Sequence, residues 1–111
     1  MKIVKKLEDY SYPEIIDMKR EQFEEALSVS EMNLGLTISM RKFFSLQHDS
    51  MGQQVQALSK LLSDKSRELT QEERDKAEYT IQQIFLIMFS IEYKATLLYN
   101  RERSLSGDKM N

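Results

Sequence analysis

The chain of 111 residues contains no cysteine, one proline and three glycines. Without cysteine, disulfides, thiolate zinc sites and cysteine nucleophiles are excluded. A β-sandwich or barrel needs a turn signal every ~8–12 residues, and so few prolines and glycines cannot supply them. The scarcity of both residue types therefore predicts long helices.

Long apolar runs and an excess of one charge are also missing. The most apolar run, residues 84–89, is far shorter than the ~20 residues that cross a bilayer. The net charge is −2, so no overall basic field attracts nucleic acid or anionic lipid. Residues 1–7 are basic but lack the ~7–15-residue apolar core of a signal peptide. We therefore expect a cytoplasmic protein without a membrane span.

Helical spacing predicts one all-α domain over residues 1–111, a small bundle of three long helices with a short N-terminal helical turn or arm. Residues 1–12 form that arm, and the polar residues 104–111 are predicted to be a flexible tail. The first long helix is expected from about Pro13 to Met32, because proline is tolerated in the first turn of a helix. Its inward residues are predicted to be Ile16, Phe23, Ala26 and Leu27.

A break is expected at residues 33–35, because Asn and Gly are residues that end helices. Residues 34–46 then carry two patterns, an alternation typical of a strand and a helical spacing that includes Met40 and Phe44. A lone strand would leave its backbone donors unpaired, and no second strand pattern occurs. A second helix running toward Leu62 is therefore the prediction, with residues 49–52 as the place where it could be interrupted.

The last helix has the clearest start and two apolar faces. Thr70 and Glu73 have the spacing of a capping box, and the helix is expected to run from there to about Arg103. One face has heptad-like spacing and is predicted to face the chain's own core; it consists of Ala77, Ile81, Ile84, Met88, Ile91, Ala95 and Leu98. The other face, called the outer stripe below, consists of Tyr79, Leu86, Phe89, Tyr93 and Leu97.

The outer stripe needs a cover, because burying each such side chain is worth ~1.5–3 kcal/mol. Two interpretations compete. In one the stripe packs against another element of the same chain, and in the other it is an interface with a second copy or another protein. Three long helices supply little internal cover, and tyrosine is enriched at interfaces. The outer stripe is therefore predicted to be a partner interface.

The search for reactive groups finds no catalytic residue, no metal site and no cofactor site. His48 is the only histidine and has no second ligand at helical spacing. The carboxylates at residues 72–78 are interleaved with Arg74 and Lys76, which is typical of a solvated helix face. No nucleophile-elbow, Walker or dinucleotide-binding motif occurs. We therefore expect a protein that is not an enzyme.

These observations predict a protein–protein interaction module, such as an adaptor, a chaperone or a small regulator. The alternative is a small dimeric regulator that binds nucleic acid. Its phosphate contacts would come from residues 41–42, from Lys2, Lys5 and Lys6, and from Arg101 and Arg103. These cations are scattered and are balanced by eighteen acidic residues, so nucleic acid is not the expected partner.

Overall fold

The computed structural model describes residues 3–107. Within them the chain forms a 3₁₀ turn and four α-helices, with no strand. In order these are the 3₁₀ turn Leu7–Asp9 and the helices α1 (Tyr12–Asp17), α2 (Arg20–Ser28), α3 (Leu34–Ser63) and α4 (Gln71–Leu105). The predicted all-α class is confirmed, with two long helices rather than three.

The first predicted long helix is two short helices. Met18 and Lys19, between α1 and α2, have extended backbones with ψ of 142° and 155°. Phe23 and Ala26 are buried as predicted, whereas Ile15 takes the fully buried place in α1 and Ile16 is half-buried. At the break the carbonyls of Ile15 and Met18 accept hydrogen bonds from Lys94 of α4. Because Lys94 is far away in the sequence, the residues around the break do not signal it.

The capping box predicted at Thr70 is confirmed in atomic detail, and the first helix begins with a second box that was not predicted. The Glu73 amide donates to the Thr70 hydroxyl at 3.1 Å, and the Thr70 amide donates to the Glu73 carboxylate at 2.9 Å. At the start of α1, Ser11 and Glu14 make the same reciprocal pair, and Pro13 lies in the first turn. These bonds satisfy amides that a helix leaves without partners at its N-terminus.

Residues 34–46 are helical, as predicted. The break before them is also correct, but Asn33 begins α3 instead of ending the preceding helix, because its side chain accepts a hydrogen bond from the Leu36 amide at 2.8 Å. The interruption considered at residues 49–52 does not occur, and α3 continues through Gly52 to Ser63.

The helices α3 and α4 form an antiparallel hairpin, and the N-terminal elements pack on its open end. At 1.5 Å per residue the two helices are about 45 and 52 Å long. The radius of gyration is 18.1 Å, against about 13 Å for a compact chain of this length. The hairpin therefore extends well beyond the part that the N-terminal elements cover.

We call residues 3–46 and 91–107 the proximal half and residues 47–90 the distal half. The cluster of buried apolar side chains lies wholly in the proximal half: Leu7, Ile15, Met18, Phe23, Ala26, Met32, Met40, Phe44, Ile91 and Leu98. In the distal half only Ala77 and Ile84 are buried.

The predicted core face of the last helix is confirmed. Ala77, Ile84, Ile91 and Leu98, each seven residues from the next, are buried, and the other three members are half-buried. The helix continues to Leu105, into the segment predicted as a tail. Residues 108–111 of that tail and residues 1–2 of the arm lie outside the described residues. Within residues 3–107 no helix is long and apolar enough to cross a membrane.

Candidate interaction surface

The outer stripe of α4 divides between the two halves of the molecule. In the distal half its three members are exposed, with Tyr79 at 63%, Leu86 at 61% and Phe89 at 58%. In the proximal half Tyr93 and Leu97 are half-buried. The structure therefore brings only the first three together on an open surface.

The N-terminal helices cover the proximal end of the stripe. The guanidinium of Arg20, at the start of α2, lies 4.3 Å from the centre of the Tyr93 ring, a favourable cation–π contact. Leu97 packs against the core cluster. For these two residues the cover comes from the same chain, which was the competing interpretation of the sequence.

Two further residues widen the exposed part of the stripe, although the sequence interpretation left them out. Phe85 is 42% exposed and Ile87 is 41% exposed. The Phe85 ring stacks on Phe89, with centroids 6.4 Å apart and planes at 21°. Their spacing of four residues in an apolar run was the signal that could have identified this pair. We call Tyr79, Phe85, Leu86, Ile87 and Phe89 the distal patch.

The distal patch lies in the one long stretch of α4 without charge. From Tyr79 to Ile91 every side chain is neutral. Two exposed glutamines, Gln82 and Gln83, lie between Tyr79 and the rest of the patch. Acidic residues begin immediately before it, at residues 72–78. The patch thus has an apolar centre with polar flanks, which is the usual composition of a protein interface.

A cleft opens where the distal patch meets the end of α1. Its volume is about 220 Å³, and it is lined by Ile16, Asp17, Met18, Gln83, Leu86, Ile87 and Ser90. One wall is therefore the patch itself, and the other is the end of α1. The cleft is open to solvent beside Leu86, so an incoming side chain could enter it.

Lys94 holds the wall that α1 contributes. Its side chain is fully buried, and its ammonium donates to the backbone carbonyls of Ile15 at 3.0 Å, Ile16 at 2.8 Å and Met18. The Ile15 carbonyl also accepts from the Met18 amide at 3.3 Å, and the carbonyls of Ile16 and Met18 are ones that the end of a helix leaves without an amide partner. Burial lowers the pKa of Lys94, and the carboxylate of Asp17 opposes that shift.

The role of Lys94 was not predicted from the sequence. It interrupts the apolar face of α4 between Ile91 and Leu98. A lysine on a buried face indicates that hydrogen-bond acceptors for its ammonium lie nearby. These acceptors are nearly eighty positions away along the chain, so the spacing of residues in α4 alone could not identify them.

A second concavity lies between α3 and α4 in the proximal half. It has a volume of about 400 Å³, with Phe44, Ile91 and Ala95 among its lining residues. An ion pair and a hydrogen bond join its two sides. Arg41 donates to Glu102 at 2.7 Å, and His48 lies 2.8 Å from Glu92. The only histidine thus links the two helices through a carboxylate, and its side chain is 28% exposed.

Several of the cations considered for nucleic acid have partners within the chain. Arg41 pairs with Glu102, and Arg101 donates to the Ser30 carbonyl at 2.7 Å. Lys6 forms an ion pair with Glu31 at 3.0 Å, and Lys5 lies over the Tyr10 ring. Lys2 lies outside the described residues. These contacts attach α3, α4 and the N-terminal segment to one another.

Within residues 3–107 no group of three or more histidine, aspartate or glutamate side chains has an arrangement that could hold a metal ion. The chain matches no family model, and no curated protein and no solved structure matches it.

Proposed function

We propose that this chain is a non-enzymatic protein–protein interaction module of the cytoplasm, acting as an adaptor, chaperone or small regulator. It binds through the distal patch. The observation that carries the proposal is that Tyr79, Leu86 and Phe89, each 58–63% exposed, lie on one side of α4, with Phe85 and Ile87, 41–42% exposed, at its two edges.

The patch is not needed to hold the hairpin together. The opposite face of α4, with Ala77 and Ile84 buried, packs against α3. The patch therefore leaves apolar surface in water on a side where charged residues would be expected. Burial of one such side chain contributes about 1.5–3 kcal/mol, less the part already covered, so a partner gains several favourable contacts at once.

Protein is favoured over nucleic acid as the partner by the charges on the two kinds of surface. The distal patch has no cation from Tyr79 to Ile91. Of the cations considered for phosphate contacts, Arg41 forms an ion pair with Glu102, and Arg101 donates a hydrogen bond to the Ser30 carbonyl. A nucleic-acid surface instead presents clustered Arg and Lys to phosphates.

Two matched leucines allow a direct test. Leu86 in the patch is 61% exposed, and Leu46 on α3, outside the patch, is 66% exposed. We expect Leu86→Glu to weaken association at least tenfold, because a buried carboxylate would lack a partner. Leu46→Glu should leave association unchanged. Both variants should remain helical, because neither leucine is buried.

The measurement combines sedimentation at micromolar concentration with capture of proteins from the native host by immobilised chain. The proposal is supported if self-association or capture is lost in Leu86→Glu and kept in Leu46→Glu. It is overturned if the chain neither self-associates nor captures a protein, or if the two variants behave alike.

A further inference from the structure

We infer that the occupant of the distal patch is a second copy of this chain, whose α4 packs antiparallel to the first with a two-fold axis between Gln82 and Gln83. This inference rests on the proposed function, because it uses the same patch. A two-fold interface must be complementary to itself. With the axis at that point, the numbers of two facing residues add up to 165, so 82 faces 83.

The cleft at the end of α1 supports this register. Leu86, on the cleft wall, faces Tyr79 of the second copy, because their numbers add up to 165. Tyr79 is 63% exposed and does not line the cleft of its own chain. In the dimer each Tyr79 fills the cleft of about 220 Å³ beside the other copy's Leu86. The protruding residue and the concavity that receives it lie seven residues apart on the same helix.

Polar residues at the centre specify the same alignment. Gln82 and Gln83 are exposed and lie on the axis. Each side-chain amide is a donor and an acceptor, so the two glutamines of one copy can pair with those of the other. A polar pair inside an apolar helical interface fixes register, as a buried Asn does in coiled coils.

The charges at the ends of the patch are complementary in this arrangement. Glu72 of the second copy faces Tyr93, whose ring lies 4.3 Å from the guanidinium of Arg20. The acidic first turn of each α4 thus meets the basic start of α2, residues 19–20, in the other copy. Lys76 faces Phe89, which gives a cation over an exposed ring.

A parallel arrangement lacks this complementarity. It would place the first two turns of both copies together, where Glu72, Glu73, Asp75 and Glu78 outnumber Arg74 and Lys76 on each. Like charges side by side disfavour association. It would also place the two N-terminal layers against each other and leave both clefts beside Leu86 without an occupant.

The exposed area is of the size that a dimer needs. A standard interface buries about 800 Å² from each partner, and somewhat more than half of that area is apolar. Aromatic side chains contribute about 150–250 Å² each when fully buried, and the patch has three of them 42–63% exposed beside Leu86 and Ile87. Their exposed parts amount to several hundred Å², and the flanking polar residues supply the rest.

The absence of cysteine makes the arrangement testable by site-specific cross-linking. Gln82→Cys should form a disulfide-linked dimer on mild oxidation, and Gln53→Cys, exposed on α3, should not. Asp75→Cys and Ser90→Cys, whose numbers add up to 165, should each cross-link poorly alone and efficiently when mixed. The unmodified chain should sediment at twice the chain mass at tens of micromolar.

Charge reversal tests the predicted ionic contact. Arg20→Glu should weaken dimerisation about tenfold, and the added change Glu72→Arg should restore it. Self-linking of Asp75→Cys, or no rescue by Glu72→Arg, would overturn the inference. A monomer that still captures a host protein in a Leu86-dependent manner would also overturn it while leaving the proposed function intact. A monomer that captures nothing would overturn both.

Discussion

The proximal and distal halves use the same two long helices but surround them differently. In the proximal half, α1, α2 and the 3₁₀ turn form a further layer, and a cluster of ten apolar side chains is buried. In the distal half only the end of α1 reaches the hairpin, at the cleft beside Leu86, and only Ala77 and Ile84 are buried. One face of α4 is thus covered by its own chain at one end and open at the other.

The polar contacts that join elements distant in sequence are also concentrated in the proximal half. Lys94 binds the end of α1, and Arg101 binds the end of α2 through the Ser30 carbonyl. The Leu7 amide donates to the Ser30 hydroxyl at 2.9 Å. Such contacts attach a layer that is too short to fold alone. Stability therefore comes mainly from the proximal half, which leaves the distal half free to carry a binding surface.

The largest expected loss of stability follows from the removal of a large side chain from the proximal core. Phe23 is fully buried, so Phe23→Ala should destabilise the chain by about 3–5 kcal/mol. Met88, on the inner face of the distal half, is only half-buried, and Met88→Ala should cost clearly less. Urea unfolding followed by circular dichroism measures both. Equal losses would show that the two halves contribute equally to stability.

Lys94→Met should have the next largest effect. The substitution keeps most of the side-chain volume but removes the donor from three carbonyls at the end of α1, of which only that of Ile15 retains a partner, the Met18 amide. The cost should be about 2–3 kcal/mol, because unsatisfied buried acceptors are penalised. Trypsin should then cut faster after Lys19 and Arg20, next to the released end of α1.

The control for Lys94 is Lys42→Met, at an exposed position of α3 outside the proposed interface. It should change neither the unfolding midpoint nor the rate of cleavage after Lys19. If Lys94→Met were as stable as the original chain, the buried ammonium would not be what holds α1 in place, and the two halves would differ by apolar packing alone.

A gain of stability is expected in the distal half. Gly52 lies inside α3, where glycine is less favourable than alanine by about 0.5–1 kcal/mol. A Cβ at this position would meet the Met88 Cε at 3.9 Å, an ordinary contact. Gly52→Ala should therefore stabilise the chain by up to about 1 kcal/mol, measured by urea unfolding. A loss of stability would indicate that close packing here already requires glycine.

The fold class and the orientation of α4 were predictable because both depend on local signals. The capping box at Thr70 and the seven-residue spacing from Ala77 to Leu98 are contained in the sequence of one helix. The split between α1 and α2 was not predictable, because the ammonium that binds the carbonyls there belongs to Lys94, far away in the chain. The cover of Tyr93 and Leu97 was not predictable for the same reason. Both were predicted to lie in the interface, and both are half-buried beside the N-terminal helices.

Tyr79, Leu86 and Phe89 are exposed on a helix face without charges, which is visible without a structure, and their role as an interface stays a prediction. The extension of this exposed face by Phe85 and Ile87 was missed, because these residues lie at the sides of the stripe. Whether they face water depends on how far the N-terminal helices reach along α4. That length is a tertiary property that helical spacing does not contain.

The smallest expected effect concerns the first turn of α4 in acid. The hydrogen bond from the Thr70 amide, followed by that from its hydroxyl, lowers the pKa of Glu73 below its ordinary value of 4.5. A carboxylate with a lowered pKa in the folded state stabilises the fold above pH 4.5, and this contribution is lost as the pH falls through the lowered value. Fraying of the first turn should therefore increase in that range, as measured by hydrogen exchange of the amides at residues 73–76.

Glu73→Gln isolates this effect, because the amide oxygen can still accept from Thr70 but does not titrate. Its first turn should be slightly less protected at neutral pH and should show no added fraying below pH 4.5. Glu14, whose pKa is lowered in the same way by the Ser11 amide, provides the proximal counterpart. Because α1 is also held by Lys94, Glu14→Gln should change protection less than Glu73→Gln does. The reverse order would mean that the capping box, and not the contact with Lys94, determines how strongly the first turns of α1 and α4 are protected.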